Sequence, residues 1–155
     1  MQPIAEPITG LEERSRDSSP VSALVEFYAA FNTRSLDLVA QNWARTDEIA
    51  MDNPLGGIKR GWEEIRGVYE RIFRGPAEVY VEFCDYTIHE AAGMFYVVGR
   101  ERGYFRLRDT RLELAIRTSR IFRRMDGRWR QVHHHGSIDD PGLLKRYQSA
   151  VLEAS

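Results

Sequence analysis

The stretch "TSRIFRRMDGRWRQVHHHGS", residues 118–137, decides how the chain folds. It reads as two long extended runs joined by Asp126 and Gly127, a pair suited to a two-residue hairpin turn. The same period-two patterning extends upstream through "AEVYVEFCDYTIHE" (77–90), "GMFYVVGRERGYFRLR" (93–108) and "TRLELAIRTSRIFRRM" (110–125), which are separated by short turns. Four consecutive hairpin-linked strands make an antiparallel meander, and strands of this length must twist and curl.

Upstream of the meander the period is that of helices. In "SSPVSALVEFYAAFN", Ser19 caps a helix with Pro20 in its first turn and Leu24, Phe27, Tyr28 and Phe31 on one stripe. Ser35 caps a second, short helix carrying Leu36, Val39, Ala40 and Trp43. Two brief extended pieces flank the Pro/Gly turn in "EIAMDNPLGGIKRG", and "WEEIRGVYERIF" then places Trp62, Ile65, Tyr69, Ile72 and Phe73 on one face. After the meander, "DDPGLLKRYQSAVLEAS" has Asp139 or Asp140 as cap, Pro141 in the first turn, and Leu143, Leu144, Tyr147 and Val151 on a stripe.

The expected fold is therefore α+β: a curved antiparallel β-sheet forming a cone closed by three N-terminal helices, plus a C-terminal helix. The expected boundaries are a loose arm over residues 1–18, the cone over 19–138 and an appended helix over 139–155. Closing the concave face of a curled sheet encloses a pocket, and the other face is left needing cover, so a homodimer through the sheet face is expected.

Composition narrows the function classes. A formal charge of -1 over 155 residues gives no bulk attraction to nucleic acid or membrane. The charge is uneven, with eleven arginines between residues 100 and 130 against Glu101, Asp109, Glu113 and Asp126. With only two lysines and no recognition motif, this excess reads as a solvated strand face, and no nucleic-acid partner is expected. A lone Cys84 in an apolar run reads as an inert buried thiol and suits a reducing compartment. The N-terminus has neither a basic start nor an apolar run, so a cytoplasmic protein without membrane association is expected.

Three helices followed by a curled sheet resemble the nuclear transport factor 2-like superfamily, which includes ketosteroid isomerases, SnoaL-like polyketide cyclases and the association domain of calcium/calmodulin-dependent kinases. The resemblance covers roughly residues 20 to 138. The most specific part is the closing hairpin, where an arginine-bearing strand, a D-G turn, a tryptophan and V-H-x-H-x-S are similar to the association domain. A second likeness, in "VEFYAAFNTRSLDLVAQNWA" with "MDNPLGG", is to the first helices and strand of ketosteroid isomerases.

Isomerase chemistry needs a carboxylate base and an oxyanion hole built from a tyrosine and a protonated acid. Tyr28 matches the tyrosine. The base would fall on Asn53, which cannot take a proton, while Asp52 points to the other side of an extended chain, and the second acid would fall near Thr118 or Ser119. The resemblance to the association domain implies that Arg100 and Arg120 face the pocket, where a guanidinium suits bidentate capture of a carboxylate. The third pocket arginine of that family is Gly136 here, which implies vacated space. The structural alternative is that both arginines pair with glutamates such as Glu82 or Glu64 and only satisfy a polar cavity wall.

Alternation puts Trp129, Gln131, His133 and His135 on one strand face and Arg130, Val132, His134 and Gly136 on the other. If Gly136 lines the pocket, so does His134, whose imidazole near arginines would stay neutral and able to accept a proton. His133 and His135 then face outward; with no further metal-ligating cluster in the sequence, neither a metal nor a cofactor is expected. Trp43, Met51, Asn53, Tyr69, Tyr96 and Phe122 complete the expected ligand-binding wall, with Tyr28 beside His134 as the catalytic pair. The expected ligand is a small organic acid or polyketide-like molecule handled by an isomerase, cyclase or dehydratase type of chemistry, the alternative being a non-catalytic ligand-binding or oligomerisation module.

Overall fold

The structure is a computed structural model that describes residues 1–13 and 15–153, the Glu153 side chain excepted. Arg14 of the expected arm and Ala154 and Ser155 of the expected terminal helix lie outside the described residues. The elements run α1 (Pro20–Asn32), α2 (Leu36–Asn42), β1 (Ala50–Asp52), β2 (Lys59–Arg60), α3 (Gly61–Arg74), β3 (Glu78–Ala91), β4 (Met94–Leu107), β5 (Thr110–Met125), β6 (Arg128–Ser137) and α4 (Pro141–Gln148). A π-helical segment, Ser149–Glu153, continues α4.

Local chemistry sets these boundaries. The Ser19 hydroxyl accepts from the Ser22 N–H and the Ser35 hydroxyl from the Leu38 N–H, which satisfies donors that the first helical turn leaves open. Asp140, rather than Asp139, caps α4 by accepting from the N–H groups of Gly142 and Leu143. At the last hairpin Asp126 (φ 52) and Gly127 (φ 76) both take the left-handed conformation that a two-residue turn of this kind requires.

The six strands lie in the order β2-β1-β6-β5-β4-β3, antiparallel except for β1, which runs parallel to β6. Two bulges bend the sheet. One falls between Cys84 and Thr87, where Asp85 has φ 49, and the other in β6, where Val132 is extra because Phe122 faces Gln131 while Ile121 faces His133. The helices α1 to α3 cover the inner face, and the core joins Leu24, Phe27, Tyr28 and Phe31 of α1 to Phe83, Phe95 and Phe122 of the sheet. This is the expected curved α+β architecture, left unclosed at its ends.

Part of the stretch expected as a loose arm runs beside the outer edge of β3. Ile4 and Ile8 exchange backbone hydrogen bonds with Tyr86 and Phe83, and Ile8 is buried. At Gly10 the arm passes so close to α1 that an added Cβ would stand 2.3 Å from the backbone nitrogen of Ala29. Among the described residues no helix is long and apolar enough to cross a membrane.

Candidate functional site

In β4 the odd-numbered residues point inward: Phe95, Val97, Glu101 and Phe105 are all buried. Arg100 and Tyr96 occupy even positions and stand exposed on the outer face, Tyr96 with 41% of its surface accessible. Two expected wall residues are therefore absent from the cavity, because strand alternation overrides the family match that suggested Arg100. The arginine that does enter is Arg120, 2% exposed, on the inward face of β5 with Ile116, Thr118 and Phe122.

Glu101, not Glu82 or Glu64, neutralises it. The Arg120 Nη2 lies 2.8 Å from Glu101 Oε1, and the Tyr28 hydroxyl donates to the same oxygen at 2.8 Å. Arg120 Nη1 donates to Gln131 Oε1 at 2.6 Å, Gln131 donates to Asn42, and Asn42 donates to the Ala23 carbonyl. The guanidinium also lies 3.8 Å above the Phe27 ring, a geometry that favours a cation in a dry site. Glu82 instead accepts from Tyr80, and Glu64 from the backbone N–H of Arg60.

Gln131 reaches this network because of the β6 bulge. Strict alternation puts it on the outer face with His133 and His135, whereas the extra residue Val132 switches the phase, so that Gln131, His134 and Gly136 are all buried. Glu101 and Gln131 are the residues that sequence reasoning missed. The signal for Glu101 was its phase within "VGRERG", inward with Phe95, Val97 and Phe105; the bulge that re-aims Gln131 leaves no such signal.

Burial depresses the His134 pKa well below its ordinary value, and the Arg120 charge depresses it further. The imidazole is neutral. Its Nδ1 stands 3.4 Å from the Ser119 carbonyl, which can only accept, so the ring proton belongs on Nδ1 and Nε2 is left as an acceptor. Burial, then Glu101, raises the Tyr28 pKa well above the usual phenol range. The same hydroxyl accepts from Arg120 Nε at 3.4 Å, so Tyr28 is committed inside the network and acts on a ligand only through Glu101 and Arg120.

Glu101, Arg120 and His134 line a cavity of about 30 Å³ with Met51, Asn53 and Tyr69 among its other walls. Trp43 stands behind Tyr69 and donates to its hydroxyl at 3.2 Å, while Phe122 stacks on Phe95 in the core. Tyr28 and Arg120 both donate to Glu101 Oε1; Oε2 accepts no hydrogen bond from any described residue. Two residues that line the cavity thus keep an unused acceptor, Glu101 Oε2 and His134 Nε2, beside a cation already paired. The space expected at Gly136 is filled, since a Cβ there would stand 3.1 Å from Pro54 Cδ and 3.3 Å from Ile116 Cγ2.

His133 and His135 face outward with Asp52, whose Oδ2 lies 2.8 Å from His135 Nδ1 and whose Oδ1 lies 3.7 Å from His133 Nε2. Among the described residues no group of three or more His, Cys, Asp or Glu is arranged to hold a metal ion. Burial pushes the Cys84 thiol pKa up, as suits an unreactive cysteine. A larger, open groove of about 480 Å³ lies between the arm and α1, lined in part by Glu6, Glu12, Glu13 and Asp17. Of its titratable lining groups Tyr86 is buried, whereas Glu6, Glu13 and Asp17 are exposed.

The SnoaL-like domain family matches residues 21–141. The chain belongs to this SnoaL-like family. Solved structures of similar fold include a protein from Thiobacillus denitrificans assigned as a calcium/calmodulin-dependent protein kinase type II association domain, 28% identical over 79% of this chain and 96% of that one, with a TM-score of 0.65. A protein of the nuclear transport factor 2-like family from Streptomyces avermitilis, assigned as a dehydratase, is 17% identical over 74% and 89% of the two chains, with a TM-score of 0.65. A ketosteroid isomerase-like protein from Erwinia carotovora atroseptica is 20% identical over 77% and 93%, with a TM-score of 0.64. Among curated proteins no relative matches. These likenesses show that the SnoaL-like chain shares the fold of nuclear transport factor 2-like structures.

Proposed function

We propose that the cone cavity binds a small, mostly apolar molecule of the polyketide type and that His134 moves a proton on it. The observation that carries this reading is a neutral, buried imidazole, its Nε2 without a partner among the described residues, on a residue that lines one cavity with Glu101 and Arg120. Abstraction of a proton α to a carbonyl, the first step shared by isomerisation, cyclisation and many dehydrations, needs such a base together with a polar end for the substrate oxygen. The solved relatives assigned as a dehydratase and as ketosteroid isomerase-like support the class of chemistry.

Charge bears on the ligand. An organic acid entering the cavity meets Glu101, whose second oxygen is already a free acceptor, and an Arg120 whose charge is already matched. A neutral ligand with a hydroxyl or enol group fits this set better than a carboxylate. The test is deuterium incorporation from D₂O, read by mass spectrometry, into aryl ketones and 1,3-diketones. Wild type should accelerate exchange at the carbon next to the carbonyl and His134→Gln should not; equal rates for the two proteins would end the reading.

A second reading, an oligomerising module, draws on the outer face of the sheet. Tyr96 and Val98 of β4 are 41% and 47% exposed on it, whereas Arg102, Arg106, Arg117 and Arg123 of the same strand and its neighbour are paired with Asp85, Glu78, Asp139 and Glu48. An apolar centre with an ion-paired rim is the anatomy of a protein interface, and a second copy of this chain is the proposed occupant. The two readings are compatible, since the cavity and the outer face lie on opposite sides of the sheet.

A further inference from the structure

A ligand of the proposed kind has to find room, and the cavity as it stands accommodates little more than water. What fills the remaining space is Tyr147. Its ring, 4% exposed, reaches in from α4, lines the same cavity as Glu101 and His134, and packs 5.6 Å from the Phe105 ring. Burial, then the Glu101 charge, raises its pKa, yet its hydroxyl makes no hydrogen bond with any described residue.

We propose that α4 with the π-helical segment after it is a displaceable plug, and that Tyr147 holds the ligand's seat until a ligand takes it. Leu143, Leu144 and Leu152 pack against the core, but the polar anchors of this element suit displacement. Asp139 pairs with Arg117 at 2.8 Å, but both side chains are about 60% exposed, and Gln148 reaches the body through one bond, to the Pro54 carbonyl at 2.9 Å. Lys145 and Arg146 point to solvent, and the wider π-helical winding at Ser149–Glu153 interrupts the regular helix where Ala150 and Val151 are buried. The rest of the cavity wall comes from sheet and helices locked by the long β3 to β6 ladders, so the C-terminal element is the part that can leave without breaking the sheet.

Tyr147 also describes what replaces it: a planar ring carrying a neutral hydroxyl, for which Glu101 Oε2 and His134 Nε2 are unused acceptors. The proposal rests on the cavity reading above. The probe that tests both is 2-naphthol, whose intrinsic fluorescence reports binding. Tyr147→Ala should bind it at least tenfold more tightly than wild type, and Met51→Trp introduced into Tyr147→Ala should abolish that gain. In wild type, saturating 2-naphthol should speed amide hydrogen exchange across residues 141–153 and leave β4 and β5 unchanged. The exchange measurement stands alone if Tyr147→Ala does not fold.

Equal affinities in the two proteins, or no binding by either, would overturn the plug. So would binding to wild type that leaves exchange at 141–153 unaltered; if Met51→Trp blocked that binding, the cavity reading would survive while the plug fell. Loss of His134-dependent proton exchange is read separately and bears on the cavity chemistry alone.

Discussion

Arg120 and Glu101 form a buried ion pair, 2.8 Å apart, although they do not face each other in the sheet. Glu101 on β4 lies opposite Ile116, and Arg120 stands four residues further along β5, opposite Val97. Only the length of the arginine side chain closes the gap. Its stem crosses the inner face beneath Phe27, and Tyr28 and Gln131 bind the head at either side. Through Tyr28, Gln131 and Asn42 this network fixes α1, α2, β4, β5 and β6 to one another.

Removing one partner should therefore be costly. Glu101→Gln leaves a guanidinium buried without its counter-charge, and the expected loss is about 3–5 kcal/mol of folding stability, read from urea unfolding midpoints. Replacing both partners in Glu101→Leu with Arg120→Leu should cost less than Glu101→Leu alone, because no charge is then stranded. Arg123→Ala is the control. That arginine pairs with Glu48 at the same 2.8 Å, but both side chains are about half exposed, and its loss should cost only ~0.2–1 kcal/mol.

The pH dependence of stability should carry the signature of His134. Its folded pKa is lowered from 6.5, first by burial and then by Arg120, so above pH 6.5 the imidazole is neutral in both the folded and the unfolded chain and contributes no slope. As pH falls below 6.5 the unfolded chain takes up a proton that the folded chain refuses, so stability declines by up to ~1.4 kcal/mol per pH unit. Chemical unfolding between pH 7.5 and pH 5, values set by that window, should show this decline in wild type and a shallower one in His134→Gln. Parallel profiles for the two proteins would mean that His134 is protonated in the fold.

The sequence made the architecture legible because alternation and capping are local. Ser19, Ser35 and the Asp126–Gly127 turn act within a few residues of themselves, and each does in the structure what its neighbours imply. The site was legible only in part. His134 followed from strand phase, and Tyr28 and Arg120 do meet, yet their shared partner Glu101 lies 73 residues from one and 19 from the other. Gln131 was assigned to the wrong face because the phase was set by Gly136 and His134, and the inserted residue Val132 reverses it for the residues before it; period-two reasoning has no means of seeing a bulge. Arg100 was placed by likeness to a family where alternation in β4, correctly phased on Phe95 and Val97, points it outward.

The outer face gives a prediction about assembly. Val98 and Tyr96 stand exposed beside Arg100, for which no acidic partner stands among the described residues, and Val98→Glu sets a charge in the middle of this patch without touching the cavity. If a second copy covers the patch, sedimentation should show wild type as a dimer and Val98→Glu as a monomer, with far-UV circular dichroism unchanged. A monomeric wild type at micromolar concentration would remove the oligomerising reading and leave the cavity chemistry untouched.

Gly136 supplies the sharpest geometric test. A pocket that had lost an arginine there would tolerate a return to larger side chains, but the space is already taken by Pro54, Ile116 and the His134 ring, whose Cε1 would stand 3.4 Å from an added Cβ. Pro54 is held in turn by the Gln148 side chain, and His134 by its strand, so neither neighbour is free to swing aside. Gly136→Ala should therefore cost about 1–3 kcal/mol through overpacking, read from thermal or urea unfolding. The displaced His134 ring should also lose its alignment, so the same variant should lower His134-dependent deuterium exchange more than Gly67→Ala, whose added Cβ meets nothing within 4 Å. A Gly136→Ala protein as stable and as active as wild type would show that the wall at β1 and β6 is soft and that the cavity is larger in solution than its 30 Å³.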